Sequence, residues 1–167
     1  MKKIIPFLFV ALFGIFAVSC KDDDDVIAVD YDTYPVVFDI TNVDFDFVDG
    51  GYSIYREFQN PMYSTDVLLV YIQNGGTSSS PVWQQIPYTF YLSEGELDYN
   101  FDFSQYDVQI YAGGTFELAG TPYVNNKTFR IVFVPADYGN KNTQVDYSDY
   151  NSVIKHFHID DSNPQEL

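Results

Sequence analysis

From Tyr34 onward the apolar residues of this chain recur with a period of two. Val43, Phe45 and Phe47 alternate with Asp44 and Asp46, the pattern of a half-buried strand with one wet face. Asp49-Gly50-Gly51 follows as a hairpin signal, with residues 52–58 as the partner strand. Asn60-Pro61 breaks the pattern. Residues 66–73 hold the run Val67-Leu68-Leu69-Val70-Tyr71-Ile72, apolar on both faces, which predicts a central strand. Residues 74–81 read as a Gly/Ser loop, and residues 82–92 as a strand interrupted near Pro87. Leu97, Tyr99, Phe101 and Phe103 then alternate with Asp98, Asn100 and Asp102. A strand over 106–112 leads to Gly113-Gly114, a short strand around Phe116 and a strong strand over 128–134.

Near the end the period changes. Tyr150, Val153, Ile154 and Phe157 are spaced i, i+3, i+4, i+7, with Ser148 placed to cap and Asp149 in the first turn. This predicts one short C-terminal helix, packed on a sheet edge or closing an end of the fold. Seven or eight short strands joined by Gly, Pro and Asn turns predict an all-β domain over 34–167, an Ig-like antiparallel β-sandwich. A small barrel is the competing architecture.

Residues 1–33 follow other rules. Lys2 and Lys3 precede an apolar run from Ile4 to Val18, which ends in Ala17-Val18-Ser19-Cys20. That is the layout of a bacterial lipoprotein signal over 1–19, with Cys20 as the lipidated residue. The run is shorter than the ~20 residues that span a hydrocarbon core, and Pro6 and Gly14 interrupt it, which argues against a membrane-spanning helix. Two or three acyl chains on Cys20 would anchor the protein stably to a membrane. Residues 20–33 read as an acidic tether that reaches at most ~45 Å when extended. Within it, Lys21-Asp22-Asp23-Asp24-Asp25 is similar to the surface-export signal of lipoproteins from the Bacteroidota. The resemblance implies delivery to the outer leaflet of the outer membrane; like-charge runs also serve as solvated spacers.

Cleavage before Cys20 removes Lys2 and Lys3 and leaves 6 basic residues against 24 acidic ones, a net charge of −18. Such a chain repels nucleic acid and anionic headgroups, so nucleic-acid binding is excluded and membrane contact is left to the lipid. Cys20 is the only cysteine, so the folded part has no disulfide, thiol nucleophile or cysteine-ligated metal. Its stability must come from its core, for which the chain's 15 Phe, 15 Tyr and 1 Trp, mostly outside the signal, supply large buried areas.

Three groups of residues bear on chemistry. His156-x-His158-x-Asp160-Asp161 has the spacing of a metallo-hydrolase motif. His156 and His158 are the only two histidines, however, so a zinc site would need a carboxylate such as Asp160 as its third ligand. Histidines at a helix end beside a solvated acidic tail are the plainer reading. Asp98-x-Asn100-x-Asp102-x-Ser104 has the oxygen spacing of a calcium loop, but Phe103 stands where the loop glycine belongs and Gln109 where the glutamate belongs. The solvent face of a strand accounts for it. Residues 137–149, with Asn140, Asn142 and Asp146, are the better place for adventitious calcium; no cofactor is implied beyond the lipid on Cys20. Third, most aromatics fall on alternating strand positions and belong to the core. Trp83, beside the Gly/Ser segment, is the exception, and with Tyr88 and Tyr91 it is a candidate ligand contact.

From Phe38 to Ile159 the chain resembles a family of small, mainly flavobacterial lipoproteins of the Bacteroidota. The resemblance lies in Val82-Trp83-Gln84-Gln85-Ile86-Pro87-Tyr88-Thr89-Phe90-Tyr91, Gly95-Glu96-Leu97-Asp98-Tyr99-Asn100-Phe101-Asp102-Phe103, Thr128-Phe129-Arg130-Ile131-Val132-Phe133-Val134-Pro135 and Asp146-Tyr147-Ser148-Asp149-Tyr150-Asn151. It implies a location and a fold. Members often carry the label dihydrolipoamide dehydrogenase. That activity needs a Gly-rich dinucleotide turn and a redox cysteine pair, and this chain has neither. The expected function is that of a non-enzymatic, surface-exposed outer-membrane lipoprotein, an accessory or binding subunit of an outer-membrane protein complex. A glycan-binding module using Trp83 and exposed tyrosines is the second expectation, and a metal-dependent hydrolase the third.

Overall fold

The computed structural model describes residues 35–135 and 144–167. Cys20 and the run from Lys21 to Asp25 lie outside them, as do Asn140 and Asn142. The antiparallel β-sandwich is the fold, with two separate five-stranded sheets in place of a barrel. Strands β1 (Val36–Val43), β4 (Val67–Thr77), β5 (Ser80–Ile86), β9 (Lys127–Val134) and β10 (Gln165–Glu166) form one sheet in the order β10-β1-β9-β4-β5. Strands β2 (Asp46–Val48), β3 (Gly51–Glu57), β6 (Tyr88–Tyr91), β7 (Glu96–Phe103) and β8 (Asp107–Gly114) form the other, in the order β2-β3-β8-β7-β6. Among the described residues every pairing is antiparallel except the short β1–β10 contact. The one helix among the described residues, α1 (Tyr150–Phe157), makes a third layer on the outer face of the first sheet.

Alternation decides which side chains meet. Ile40, Leu68, Val70, Ile72, Phe129 and Ile131 face the second sheet and meet Ile54, Leu97, Tyr99, Val108 and Ile110. Each fully buried aliphatic chain contributes roughly 1.5–3 kcal/mol. The residues between them on β1, β4 and β9 (Val37, Leu69, Tyr71, Val132 and Val134) face the other way and are covered by Tyr150, Val153 and Phe157 of α1. From Leu68 to Ile72 the doubly apolar run in β4 is thus buried on both faces, as its sequence predicts, while Val67 at the strand's start is exposed.

Local chemistry sets the turns. The β2–β3 hairpin pairs Val48 with Gly51, leaving Asp49 and Gly50 as a two-residue loop. Their φ values of 52° and 86° give the positive-φ pair that a tight hairpin twist needs. Ile86 pairs with Val70 in one sheet and Tyr88 with Tyr99 in the other, so the chain changes sheets across the cis Ile86-Pro87 bond. That crossing is the interruption expected near Pro87.

Several expectations need correction. Residues 74–81 are not a loop. β4 and β5 run through them to a two-residue turn at Ser78 and Ser79, with a register shift between Gln73 and Gly76. Val43 belongs to β1, separate from Phe47, and Phe47 is 65% exposed because β2 is a short edge strand that leaves it uncovered. Phe116 is in no strand; its ring packs edge-on against Tyr123. The helix cap is Asp149, one residue later than the Ser148 expected. Its carboxylate accepts from the Asn151 N–H at 3.0 Å, a donor that the first turn leaves free, and from the Ser152 hydroxyl at 2.7 Å.

Candidate functional site

The outer face of the first sheet buries a charge. Register places Asp39, Arg130, Tyr71 and Gln85 side by side on β1, β9, β4 and β5. Arg130 points out from the middle strand and is 8% exposed. Its Nε and Nη2 donate to the two carboxylate oxygens of Asp39 at 2.7 and 2.8 Å, a bidentate pair. Its Nη1 donates to the Tyr150 hydroxyl at 2.8 Å and, at a longer 3.4 Å, to Asp161. The Tyr150 hydroxyl donates in turn to Asp161 at 2.5 Å. Above the guanidinium lie the rings of Trp83, 4.6 Å away, and Tyr150, 5.5 Å away.

These contacts set the protonation states. Burial works against the charge on Arg130, but the hydrogen bonds to Asp39 and Tyr150 outweigh it and hold the guanidinium well above its ordinary value. Burial, followed by the hydrogen bond to Asp161, pushes the Tyr150 phenol above its ordinary 10.0 against the opposing effect of Arg130. The group is an arginine permanently charged and a phenol kept neutral.

Beside this network opens a cleft of about 740 Å³. Its floor is Arg130 with Asp39. One wall is the tip of the β4–β5 hairpin, from Ser78 to Trp83; the other is the start of α1, with Asn151, and the segment carrying Asp161 and Ser162. The volume is that of a small-molecule site, which is usually 300–1,000 Å³. Hydroxyl, amide and carboxylate groups dominate its lining, with the half-buried Trp83 as the large apolar surface.

Of the three aromatics expected to contact a ligand, only Trp83 is here. Tyr88 and Tyr91 belong to β6 in the other sheet, so the three do not form one platform. Tyr91 is 80% exposed there, and Tyr88 packs edge-on against Phe90 at 4.8 Å. His156 lies in the last turn of α1 against Phe157, and His158 is its left-handed C-cap. Positions two apart on a helix do not share a face, which explains why the His-x-His spacing makes no metal pair. Asp160 instead accepts from the Ser162 N–H and hydroxyl. Among the described residues no group of three or more His, Cys, Asp or Glu is placed to hold a metal ion. Asp98, Asn100 and Asp102 are exposed on one face of β7, where Asp102 accepts from the Tyr111 hydroxyl at 2.7 Å.

Sequence reasoning missed Arg130, Asp39, Tyr150 and Asp161 as a unit. The available signal was a single arginine inside the apolar run Phe129-Arg130-Ile131-Val132, which forces a cation into a covered face and demands a carboxylate partner. No family model, curated protein or solved structure matches this chain.

Proposed function

We propose that the protein is a lipid-anchored, non-enzymatic binding module displayed on the outer membrane, where it serves as an accessory subunit of an outer-membrane protein complex. The observation that carries the binding role is the state of the charges in the cleft. Arg130, Asp39, Tyr150 and Asp161 are bonded to one another, which suits a rigid recognition surface better than a reacting group. The location rests on Cys20 and the aspartates behind it. Confinement by the lipid raises the effective concentration for neighbours in the same membrane, and the net charge favours basic surfaces over indiscriminate contacts.

The test is native co-purification after gentle detergent extraction, at low and high salt, with Cys20→Ser beside the wild type. The wild type should bring down an outer-membrane protein, less of it at high salt, and Cys20→Ser should leave the membrane. Stable membrane fractionation of unlipidated Cys20→Ser would overturn the anchor, and a wild type that extracts without any partner would overturn the accessory role.

A second reading, glycan binding, is favoured by one observation: Trp83 lies in the polar cleft.

A further inference from the structure

We infer that the cleft between the β4–β5 hairpin tip and α1 is a binding site for an uncharged saccharide and discriminates against acidic sugars. This rests on the glycan reading and adds where the ligand sits and what charge it carries.

The charge follows from the network. An arginine beside a tryptophan would ordinarily draw a carboxylate or sulfate, because the guanidinium fork matches two oxygens. Here Asp39 already takes that fork through both of its oxygens, and Asp161 lies on the remaining side. Asp149 adds a third carboxylate to the lining. Three carboxylates against one guanidinium leave the cleft net negative, so an anionic ligand meets repulsion where Arg130 would otherwise have attracted it.

The rest of the lining suits a polyol. Ser78, Ser80 and Asn151 bring hydroxyl and amide groups that both donate and accept, as sugar hydroxyls do. The carboxylates keep acceptor positions for hydroxyl donors beyond those that Arg130 and Tyr150 use. Trp83 supplies the apolar surface on which the C–H face of a sugar ring rests. Its ring is immobilised by Arg130 and by Tyr150, 5.8 Å away, so little ordering is needed on binding. A lone lysine side chain of a protein partner would leave most of the cleft's volume of about 740 Å³ unfilled, whereas a saccharide can occupy it.

The experiment is a glycan array followed by calorimetry on the folded protein with Cys20→Ser, which avoids detergent. The probes are neutral hexose and pentose oligosaccharides, a polygalacturonate oligomer and a sialylated lactose. A neutral oligosaccharide should bind, and neither acidic probe should. Trp83→Ala should weaken binding about tenfold or more, and Asn151→Ala, at an exposed helix position, about threefold to tenfold through a lost hydrogen bond. Tyr91→Ala, on the other sheet, should leave affinity unchanged. Since Trp83→Ala disturbs packing on Arg130, Asn151→Ala keeps the test independent of folding. No binding to any neutral probe overturns the glycan reading itself. Binding indifferent to both Trp83→Ala and Asn151→Ala, or lost in Tyr91→Ala, overturns the placement in this cleft. Equal capture of the acidic probes overturns the charge rule.

Discussion

Arg130 ties β9 to β1 through Asp39, far away in the chain, and to the helix and the segment that follows it through Tyr150 and Asp161. Removing one partner of a buried pair leaves the other charge uncompensated, which costs more than the pair itself contributes. Arg130→Met should therefore lower stability by roughly 3 kcal/mol in urea unfolding, and adding Asp39→Val should recover much of that loss. A cost under about 1 kcal/mol would mean that water reaches the pair. Tyr71 offers a test by pH. Its hydroxyl donates to the Tyr147 carbonyl at 2.8 Å, and burial, then the negative charges of Asp149 and Asp146, push its pKa above the ordinary 10.0. A raised phenol pKa stabilises the fold fully below the unfolded value, and that contribution is lost as pH rises toward and through the folded one. Thermal midpoints should accordingly fall from about pH 10 upward. Tyr71→Phe should begin lower, by about 1 kcal/mol for the lost hydrogen bond, and decline less steeply with pH. Parallel curves for the two proteins would assign the alkaline loss to other groups.

The β4–β5 hairpin is the element on which the cleft depends. Gly76, at φ 73°, passes so close to β5 that a Cβ there would collide with the Ser80 carbonyl oxygen. Backbone cannot yield as a flexible side chain can. Gly76→Ala should destabilise the hairpin by about 1–3 kcal/mol and speed amide exchange in residues 78–83, while exchange in β7 and β8 stays slow. Unchanged exchange at the tip would show that the register shift tolerates a side chain. The helix is the complementary wall. Asp149 holds its first turn in place, and Tyr150, its first residue, is at once core and site: its ring stacks edge-on against Tyr71 at 5.2 Å while its hydroxyl meets Arg130.

At the scale of the whole molecule, the acidic run behind Cys20 carries the prediction about display. Replacing Asp22, Asp23, Asp24 and Asp25 with alanine should leave lipidation intact and reduce protease accessibility on whole cells; equal accessibility would reduce the run to a spacer. The sandwich itself was legible along the chain. Period-two alternation and turn residues are local properties, and a sheet buried on one face must express them, so β3, β7, β8 and β9 stand where the pattern places them. The helix was legible for the same reason, through its 3.6-residue period. The Gly/Ser stretch misled because a register shift needs glycine as much as a loop does. Trp83 was legible as an aromatic out of pattern, but its companions were not. Tyr88 lies five residues away in sequence and in the other sheet, because the chain crosses at Pro87, whereas Arg130 and Tyr150 are 47 and 67 positions distant and in contact with it. Local periodicity thus sufficed for the strands and the layers. The cleft came only from strand order and register, since it is pairing across the sheet that sets Asp39, Arg130 and Tyr71 in one row beneath a helix the alternation could not position.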